Sequence, residues 1–342
     1  MTLNKPSCED DVLLPLGWNT GNPDQSRLFS LEGLELHLIP GAMFSTVSDA
    51  VGTLRESTYR QQLSGSGNKR DLDGRDPYYD HLLLVETGSE TLAGAARLQF
   101  IPKATAAADL PNGQQSYLEH VYPGIKSLLT GRDHHLEIGR VALAQRFQRQ
   151  PHSLMALFRG GLLIASQSGY STLHGLVSYN HFTYSDAVNQ RFLNALLQPP
   201  YRRSNSPLPP PRHAVQLSNT ESQGQQTSNI QALELTIRDE QDDAFRLPVL
   251  LRQYINLMEA EVCDLSLARD FNQITEILMA ARLSSLLACG SRLHWRGSPR
   301  VQGATRRRCG RRVQCATRRR RGRRRPCVPA PTTNCGPSSR SS

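Results

Sequence analysis

The stretch from Leu136 to Gly169 constrains the fold more than any other part of this 342-residue chain. In its first segment Val141 and Leu143 alternate with smaller residues, which is typical of a strand. Later apolar residues recur at a helical spacing, namely Leu154, Leu157, Phe158 and Leu162. The pattern therefore predicts a strand, a short loop and a helix. We expect Pro151 at the start of that helix, Ser153 as its N-cap and Gly169 in a left-handed conformation at its end.

Such a helix start also indicates a kind of ligand. Free backbone N–H groups at a helix N-terminus attract an anion, and the pyrophosphate or phosphopantetheine arm of an acyl carrier is one candidate. Glu137 and Arg140 lie in the strand just before the loop, close to this predicted anion site.

Strand and helix patterns interleave along the rest of the chain. The predicted strands are Leu34–Ile39, Leu82–Glu86, Leu92–Ile101, Thr172–Tyr179 and Leu233–Ile237, and a turn at residues 88–90 joins the second and third as a hairpin. The predicted helices are Ser45–Tyr59, Tyr117–Leu129 with a break at Pro123, Ser185–Leu197 capped by Ser185, and Leu247–Leu257 with Pro248 in its first turn. Residues 268–283 fit either pattern. This interleaving favours an α/β layered domain.

Charge is divided unevenly between the body and the end of the chain. The formal net charge is +10, from 40 basic and 30 acidic residues. Sixteen of the 40 basic residues are arginines after residue 290, where there is no acid, which leaves 24 basic against 30 acidic groups before it. The body is therefore a mildly acidic globular protein, and nucleic-acid binding is not expected except through the tail.

Composition predicts the domain boundaries. Residues 1–30 form a loose polar lead-in, residues 31–283 form one domain, and residues 198–230 are a flexible Pro/Ser/Gln-rich insertion within it. Residues 284–342 are a disordered basic tail that repeats an Ala-Thr-Arg-Arg-Arg unit. The tail is either an electrostatic arm for nucleic acid or anionic lipid headgroups, or a disordered end such as out-of-frame translation would produce; we favour the second interpretation.

Cysteine usage and the absence of long apolar runs bear on location. The body has two cysteines, Cys8 and Cys263, which do not make a disulfide framework, and no paired CxxC pattern suggests zinc. No run of about 18 apolar residues and no leader pattern is present. We expect a reducing, cytoplasmic setting, with peripheral contact at the inner membrane left open.

Four motifs, in this order and spacing, resemble the ornithine N-acyltransferases. They are Leu-Arg55-Glu-Ser-Thr-Tyr59, Arg-Asp-Leu-Asp73-x-x-Asp76-x-x-x-Asp80-His81, Gly94-Ala-Ala-Arg97-Leu and Leu-Glu137-Ile-Gly139-Arg140. Leu247 to Tyr254 and Arg269 to Asn272 resemble the end of that family. The likeness covers roughly residues 34–283. Relatives of the family include the acyl-homoserine lactone synthases and acyltransferases labelled hemolysins.

The resemblance implies a GNAT-like α/β fold, a mixed central sheet flanked by helices. It also implies transfer of a long, commonly 3-hydroxylated acyl chain from acyl carrier protein to the α-amino group of ornithine, the first step of ornithine lipid synthesis. The phosphopantetheine thioester would be a co-substrate, with no bound cofactor and no metal. Such a reaction has to hold a thioester, deprotonate an ammonium and stabilise an oxyanion.

Candidate residues for these tasks follow from the matched motifs. Glu137 is the candidate general base, acting directly or through a water; a structural salt bridge with Arg140 is the alternative. The candidate substrate-binding residues are Arg55, Asp73, Asp76, Asp80, Arg97 and Arg140. Arg55 and Arg97 would clamp the substrate carboxylate, and the aspartates would bind the cationic amino acid or orient the two arginines. The alternatives are surface arginines and a solvated, turn-forming acidic loop.

The acyl carrier is expected to dock at the loop and start of the central helix, on Arg146, Arg149, His152 and Ser153. The loop Gln148-Arg-Gln-Pro-His-Ser lacks the glycines that GNAT enzymes usually have there. Two further hypotheses remain open at this point. One is a different amine acceptor, another amino acid or S-adenosylmethionine, and the other is a non-catalytic protein that binds anionic polymers through the tail.

Overall fold

A single sheet organises the structure, a computed structural model that describes residues 11–16, 18, 26–101, 116–130, 134–202, 208–218 and 229–282. Within these ranges the sheet has eight strands in the order β1-β2-β3-β4-β5-β6-β8-β7. The strands are β1 (Arg27–Leu31), β2 (Leu34–Ile39), β3 (Asp80–Glu86), β4 (Leu92–Ile101), β5 (His135–Leu143), β6 (Thr172–Tyr179), β7 (Glu261–Ala268) and β8 (Ile274–Arg282). The strands predicted at β2 and β6 have the expected bounds, and β3 and β4 form the expected hairpin.

Two strands that pair in parallel lie near the centre of this otherwise antiparallel sheet. The pairing of β5 with β6 runs only from His135 opposite Thr172 to Ile138 opposite Gly175. Both strands continue for several residues beyond this point, where β5 stays paired with β4 and β6 with β8. The two central strands therefore diverge and leave an opening in the middle of the sheet.

Helices lie on both faces of the sheet. The described ones are α1 (Ser48–Gln61), α2 (Tyr117–Val121), α3 (Ile125–Thr130), α4 (Gln145–Gln148), α5 (Pro151–Gln167), α6 (Asp186–Leu196), α7 (Ile230–Glu240) and α8 (Val249–Met258). Helices α2 and α3 pack with Ile101 and Leu278 in a small apolar cluster, whereas α5 packs on β2, β3 and β4 in the main core. Among the described residues, no helix combines the length and the apolar composition that a membrane span requires.

The predicted strand Leu233–Ile237 is wrong, because these residues lie in helix α7. The Asn229 side chain accepts a hydrogen bond from the Ala232 backbone N–H and so begins the helix. Ile230, Leu233 and Ile237 then fall on one buried face, at a helical rather than an alternating spacing.

The N-cap predicted for α5 is also wrong, although the helix itself is confirmed. Pro151 occupies the first helical position, as expected, but the N-cap is Gln150, and no side chain caps this end. Ser153 lies inside the first turn, fully buried, with its hydroxyl 3.5 Å from Gln150 Oε1. Gly169 does follow the helix in the left-handed region, at a φ of 76°.

Other differences concern the ends and the insertion. Strand β1 lies within the expected lead-in, and β7 was not predicted. Residues 268–283, whose sequence fits both a strand and a helix pattern, contain β8. In the expected insertion, residues 208–218 run against the domain, with Ala214 bridged to Ser266 on β7 and Val215 packed on the core. The tail from residue 284, residues 1–10, and residues 203–207 and 219–228 of the insertion lie outside the described residues.

Candidate active site

A chain of six buried or half-buried charges lies beside the opening between β5 and β6. Its members alternate in sign, in the order Asp71, Arg140, Asp73, Arg97, Asp76 and Arg55. Arg55 and Arg97 each place Nη1 2.9 Å from Asp76 Oδ1. Arg97 Nη1 also lies 2.9 Å from Asp73 Oδ2, and Arg140 Nη1 lies 2.9 Å from Asp71 Oδ1. Three positive and three negative charges therefore compensate one another.

This pairing changes the acidity of the aspartates. Burial alone would raise the pKa of Asp76, but the guanidiniums of Arg55 and Arg97 lower it well below its usual range. The pKa of Asp73 is lowered mainly by Arg97 against the same burial. Both side chains are carboxylates at neutral pH, and they hold the arginines in place. In the structure Asp73 and Asp76 thus pair with arginines of the same chain.

Asp80 and His81 belong to the same motif, and His81 contacts the end of the chain, with its Nδ1 3.5 Å from Arg55 Nη2. The Asp80 carboxylate accepts a hydrogen bond from the Gly41 backbone N–H at 3.0 Å, and Asp80 stands opposite Leu98 rather than Arg97. His81 stands opposite Arg97, fully buried, and its Nε2 lies 2.9 Å from the Asp76 carbonyl oxygen. Burial and the neighbouring Arg55 lower the pKa of His81 to about 3, so the ring is neutral. No metal-binding group of three or more His, Cys, Asp or Glu side chains occurs within the described ranges.

The opening between the diverging strands is a cavity of about 460 Å³. One part of its wall is polar, with Arg97, Tyr117, Glu137, Arg140 and Glu276. Another part is apolar or aromatic, with Ile138, Leu247, Pro248, Val249, Leu250 and Tyr254. A substrate with a charged head and an apolar tail matches this division.

Gly175 marks the point where the two strands separate. A Cβ atom at this position would lie 2.5 Å from the Tyr254 hydroxyl oxygen, closer than side chains pack. The absence of a side chain therefore lets Tyr254, which reaches in from α8, place its hydroxyl against the strand at the opening. Tyr254 lies in the segment 247–254 that resembled the end of the family.

Glu137 faces the cavity from β5 with one oxygen in use and one free. Its Oε1 accepts hydrogen bonds from the Tyr79 hydroxyl at 2.9 Å and from the Leu118 N–H at 3.3 Å. Its buried Oε2 has no hydrogen-bond partner among the described residues. Burial raises the pKa of Glu137, although the nearby Arg97 opposes this. A buried carboxyl with a free oxygen and a raised pKa has the properties of a general base.

The alternative for Glu137, a salt bridge with Arg140, is wrong. Arg140 has left-handed backbone geometry, with a φ of 49°, where the register between β4 and β5 shifts opposite Ala95 to Arg97. This bulge directs its side chain toward Asp71 and Asp73, and its guanidinium lies 5.0 Å from the centre of the Phe271 ring. Arg97 and Arg140 line the cavity, whereas Arg55 is fully buried behind Asp76.

Five residues of the site were not predicted from the sequence as functional. They are Asp71, Tyr79, Tyr117, Tyr254 and Glu276. Tyr79 lies beneath the Arg97 guanidinium, 4.5 Å from ring centre to Cζ, and its hydroxyl accepts from the Tyr117 N–H at 2.7 Å. Glu276 Oε1 accepts from the Tyr117 hydroxyl at 2.8 Å. The motif match at residues 269–272 could have directed attention to the start of β8, but no local pattern marks Glu276.

The expected carrier-binding residues lie away from the cavity lining. Arg146 pairs with Asp11 and Glu86, at 3.0 and 2.8 Å. His152 Nδ1 lies 2.9 Å from Glu32 Oε2, and Arg149 is exposed. Ser153 is fully buried, so its side chain is not on the surface in this structure.

Known families provide an independent comparison. Residues 54–158 match the sequence model of an acetyltransferase (GNAT) domain. This range runs from α1 through the central strands to the first half of α5, and it contains Arg97, Glu137 and Arg140. The fold is GNAT-like, a mixed α/β sheet that is mostly antiparallel and flanked by helices. The family match indicates an acyltransferase. No curated protein matches the chain.

Several solved structures are similar to this chain at low identity. The loading GNATL domain of CurA from Lyngbya majuscula is 13% identical, with 74% of this chain and 100% of that chain covered and a TM-score of 0.38. FeeM, an N-acyl amino acid synthase from uncultured soil microbes, is 11% identical, with 74% and 97% covered and a TM-score of 0.40. BjaI, a CoA-dependent acyl-homoserine lactone synthase solved with SAM and isopentyl-CoA, is 12% identical, with 77% and 90% covered and a TM-score of 0.36.

Proposed function

We propose that this protein is an N-acyltransferase that moves a fatty acyl chain from a carrier thioester to the α-amino group of ornithine. The observation that carries the proposal is the position of Glu137, which lines the opening between β5 and β6 and keeps its Oε2 without a hydrogen-bond partner among the described residues. The GNAT domain match supports acyl transfer as the type of reaction. The choice of ornithine and of acyl carrier protein is supported by the resemblance of the four sequence motifs.

The chemistry needs one base and one group that stabilises negative charge. The acceptor amine attacks the thioester carbonyl carbon, a C–N bond forms, and Glu137 takes the proton that the amine loses. The raised pKa of Glu137 makes it a better proton acceptor than an exposed glutamate. Arg97, whose buried Nε has no acceptor among the described residues, supplies fixed positive charge beside the developing oxyanion.

Collapse of that intermediate breaks the C–S bond and releases the carrier thiol. The Tyr254 hydroxyl, held against Gly175, lies at the opening and donates a hydrogen bond to the leaving sulfur. Burial raises the pKa of Tyr254, so this hydroxyl stays protonated and supplies a hydrogen bond rather than the proton itself. The proton taken up by Glu137 returns to the thiolate, and the products are an amide and a thiol.

The apolar part of the wall supports a long acyl chain as the transferred group. Leu247, just before α8, and Val249 and Leu250, in its first turn, line the cavity beside Tyr254. Burying a methylene stabilises binding by about 0.8 kcal/mol, so an acyl chain of several carbons would gain substantially here. On this proposal the acidic acyl carrier protein docks on Arg146 and Arg149 outside the cavity.

The direct test incubates the full chain with 3-hydroxyacyl carrier protein or the matching acyl-CoA and a panel of amino acids, with N-acyl products measured by mass spectrometry. We expect acylated ornithine from the carrier-protein donor. Transfer from acyl-CoA alone would refute the donor assignment, and a product with a different amine would refute ornithine. No product with any donor and acceptor, from folded protein, would refute acyl transfer.

A variant tests the base. Glu137→Gln should lower kcat about 100-fold or more while the protein stays folded, since general base catalysis contributes roughly 10²–10⁴ in rate. Glu261→Gln, on strand β7 and outside the cavity lining, is the matched control and should keep full activity. Full activity in Glu137→Gln would exclude Glu137 as the base.

A further inference from the structure

The cavity holds a second buried carboxyl group that the proposed reaction does not use. Glu276, on β8, is 4% exposed, and its Oε1 accepts a hydrogen bond from the Tyr117 hydroxyl at 2.8 Å. Its Oε2 has no hydrogen-bond partner within the described part of the chain. Glu137 and Glu276 therefore both line one cavity, each with one oxygen anchored and one oxygen free.

Burial makes an ionised carboxyl costly, and at Glu276 the Tyr117 hydrogen bond and the charge of Arg140 offset this cost only in part. The positive charges close by do not remove this cost. The Arg140 and Arg97 guanidiniums, which also line the cavity, are bound by Asp71, Asp73 and Asp76. The compensated ion chain thus leaves Glu276, which lines the same cavity, without an ion-pair partner among the described residues.

Tyr117 fixes the position of one carboxyl relative to the other. The backbone N–H groups of Tyr117 and Leu118 point to the Tyr79 hydroxyl and to Glu137, at 2.7 and 3.3 Å. The hydroxyl at the far end of the Tyr117 side chain donates to Glu276. The anchored oxygens, Oε1 of Glu137 and Oε1 of Glu276, therefore lie near the backbone end and the hydroxyl end of Tyr117, so the two carboxyl groups are roughly one tyrosine side chain apart, a span that a short diamine can bridge between two hydrogen bonds.

We propose that Glu276, held by Tyr117, binds the second amino group of a diamino acid while Glu137 receives the reacting one. This assignment rests on the proposed function, and it adds the residue that selects the acceptor. An ammonium supplies both the charge and the N–H donors that the Glu276 Oε2 lacks. An amino acid with an apolar side chain of the same length would leave that carboxyl without a partner, so the site would reject it.

The test compares ornithine with norvaline, which has the same carbon chain and no side-chain amine. In wild-type protein kcat/KM for ornithine should exceed that for norvaline by about 10- to 100-fold, the usual effect of one charge-assisted hydrogen bond. Glu276→Gln should remove most of this preference by raising KM for ornithine, with a much smaller change in kcat. Shorter and longer diamino acids, 2,4-diaminobutyrate and lysine, should bind less well than ornithine to the wild-type protein.

The control variant is Asp264→Asn, on neighbouring strand β7, which removes a half-buried carboxyl outside the cavity lining. It should keep the wild-type preference. An equal loss of activity toward ornithine and norvaline in Glu276→Gln, with unchanged KM values, would show that Glu276 acts structurally or in the chemical step, and would overturn the proposal.

Binding separates this inference from the proposed function. Calorimetric titration of ornithine and norvaline into wild-type and Glu276→Gln protein, without acyl donor, measures the affinity for each amino acid. This measurement does not depend on acyl transfer. Ornithine binding that Glu276→Gln weakens about tenfold or more supports the acceptor site even if no acyl transfer is found. Equal ornithine affinity in both proteins refutes the role of Glu276 even if transfer occurs.

Discussion

The loop aspartates and the cavity glutamates are buried acids with opposite environments. Asp73 and Asp76 each contact an arginine at 2.9 Å, and the pKa of each is lowered despite burial. Glu137 and Glu276 each keep a free oxygen, and burial raises the pKa of each. The two aspartates are therefore paired with positive charges inside the protein. The two glutamates each keep one oxygen without a partner until a ligand enters the cavity.

Arg97 and Tyr79 join these two regions. The Arg97 guanidinium completes the ion chain through Asp73 and Asp76 and also lies over the Tyr79 ring. The Tyr79 hydroxyl then donates to Glu137. A rigid, compensated ion chain thereby positions the base without neutralising it, which explains how a site can be both well ordered and reactive.

The largest expected effect, on the free energy of unfolding, comes from removing one carboxylate from the ion chain. Asp76→Asn removes the carboxylate that Arg55 and Arg97 share, and it leaves two buried guanidiniums with too little negative charge. We expect a loss of about 3–5 kcal/mol in the free energy of unfolding, because the charges that remain stay buried and unpaired. Urea denaturation at pH 7 measures it.

The exposed pair of Asp49 with Arg70 is the control for that variant. Asp49 is 75% exposed, and such surface pairs contribute less than about 1 kcal/mol. Asp49→Asn should therefore change the unfolding free energy little. Similar small losses in both variants would mean that the buried ion chain is not a stabilising unit, and the distinction between the two regions would fail.

The next effect concerns the cavity region and depends on pH. Burial raises the pKa of Glu276 from an ordinary value of 4.5 to about 7, against the opposing hydrogen bond from Tyr117 and the charge of Arg140. The folded state therefore binds a proton more tightly than the unfolded state does. The group favours folding below pH 4.5, and this contribution is lost as pH rises through about 7, by on the order of 3 kcal/mol.

Glu276→Gln lacks this titration. The unfolding free energy of the variant relative to wild type should therefore rise by about 3 kcal/mol between pH 4 and pH 8, while other groups titrate equally in both proteins. Denaturant titrations at five or six pH values measure the difference. A difference that does not depend on pH would show that Glu276 is not a buried, unpaired acid.

The two regions also differ in how far the sequence predicts them. The members of the ion chain all come from the motifs at residues 54–59, 70–81, 94–98 and 136–140. Local motifs identify these residues, and local periodicity predicts the secondary structure around them. What the sequence could not give is their pairing, since Asp80 belongs to the same motif yet binds the Gly41 N–H instead. Asp80 is the first residue of β3, whereas Asp71, Asp73 and Asp76 precede that strand, so the path of the loop decides which aspartates meet the arginines.

The cavity region was predicted less completely for the same physical reason. Glu276 and Tyr117 are 159 positions apart and meet because helix α2 packs against β8 in the small apolar cluster around Leu278. The fold itself was largely predictable, since alternating and helical patterns mark most elements. Helix α7 was missed because five residues, Leu233 to Ile237, fit both periods, and the signal that decides between them is the cap at Asn229.

The smallest expected effect tests the link between the two regions. Tyr79→Phe keeps the ring beneath Arg97 but removes the hydroxyl that donates to Glu137 and accepts from the Tyr117 N–H. The unfolding free energy should fall by about 1 kcal/mol, the usual contribution of a buried hydrogen bond. Because the lost bond stabilises the Glu137 carboxylate, the pKa of Glu137 should rise further, and the acid limb of the pH–rate profile should move to higher pH.

Tyr122→Phe, which removes a hydroxyl near Ser266 outside the cavity lining, is the matched control and should leave that limb in place. An unchanged acid limb in Tyr79→Phe would mean that the ion chain holds the arginines alone and has no influence on the base.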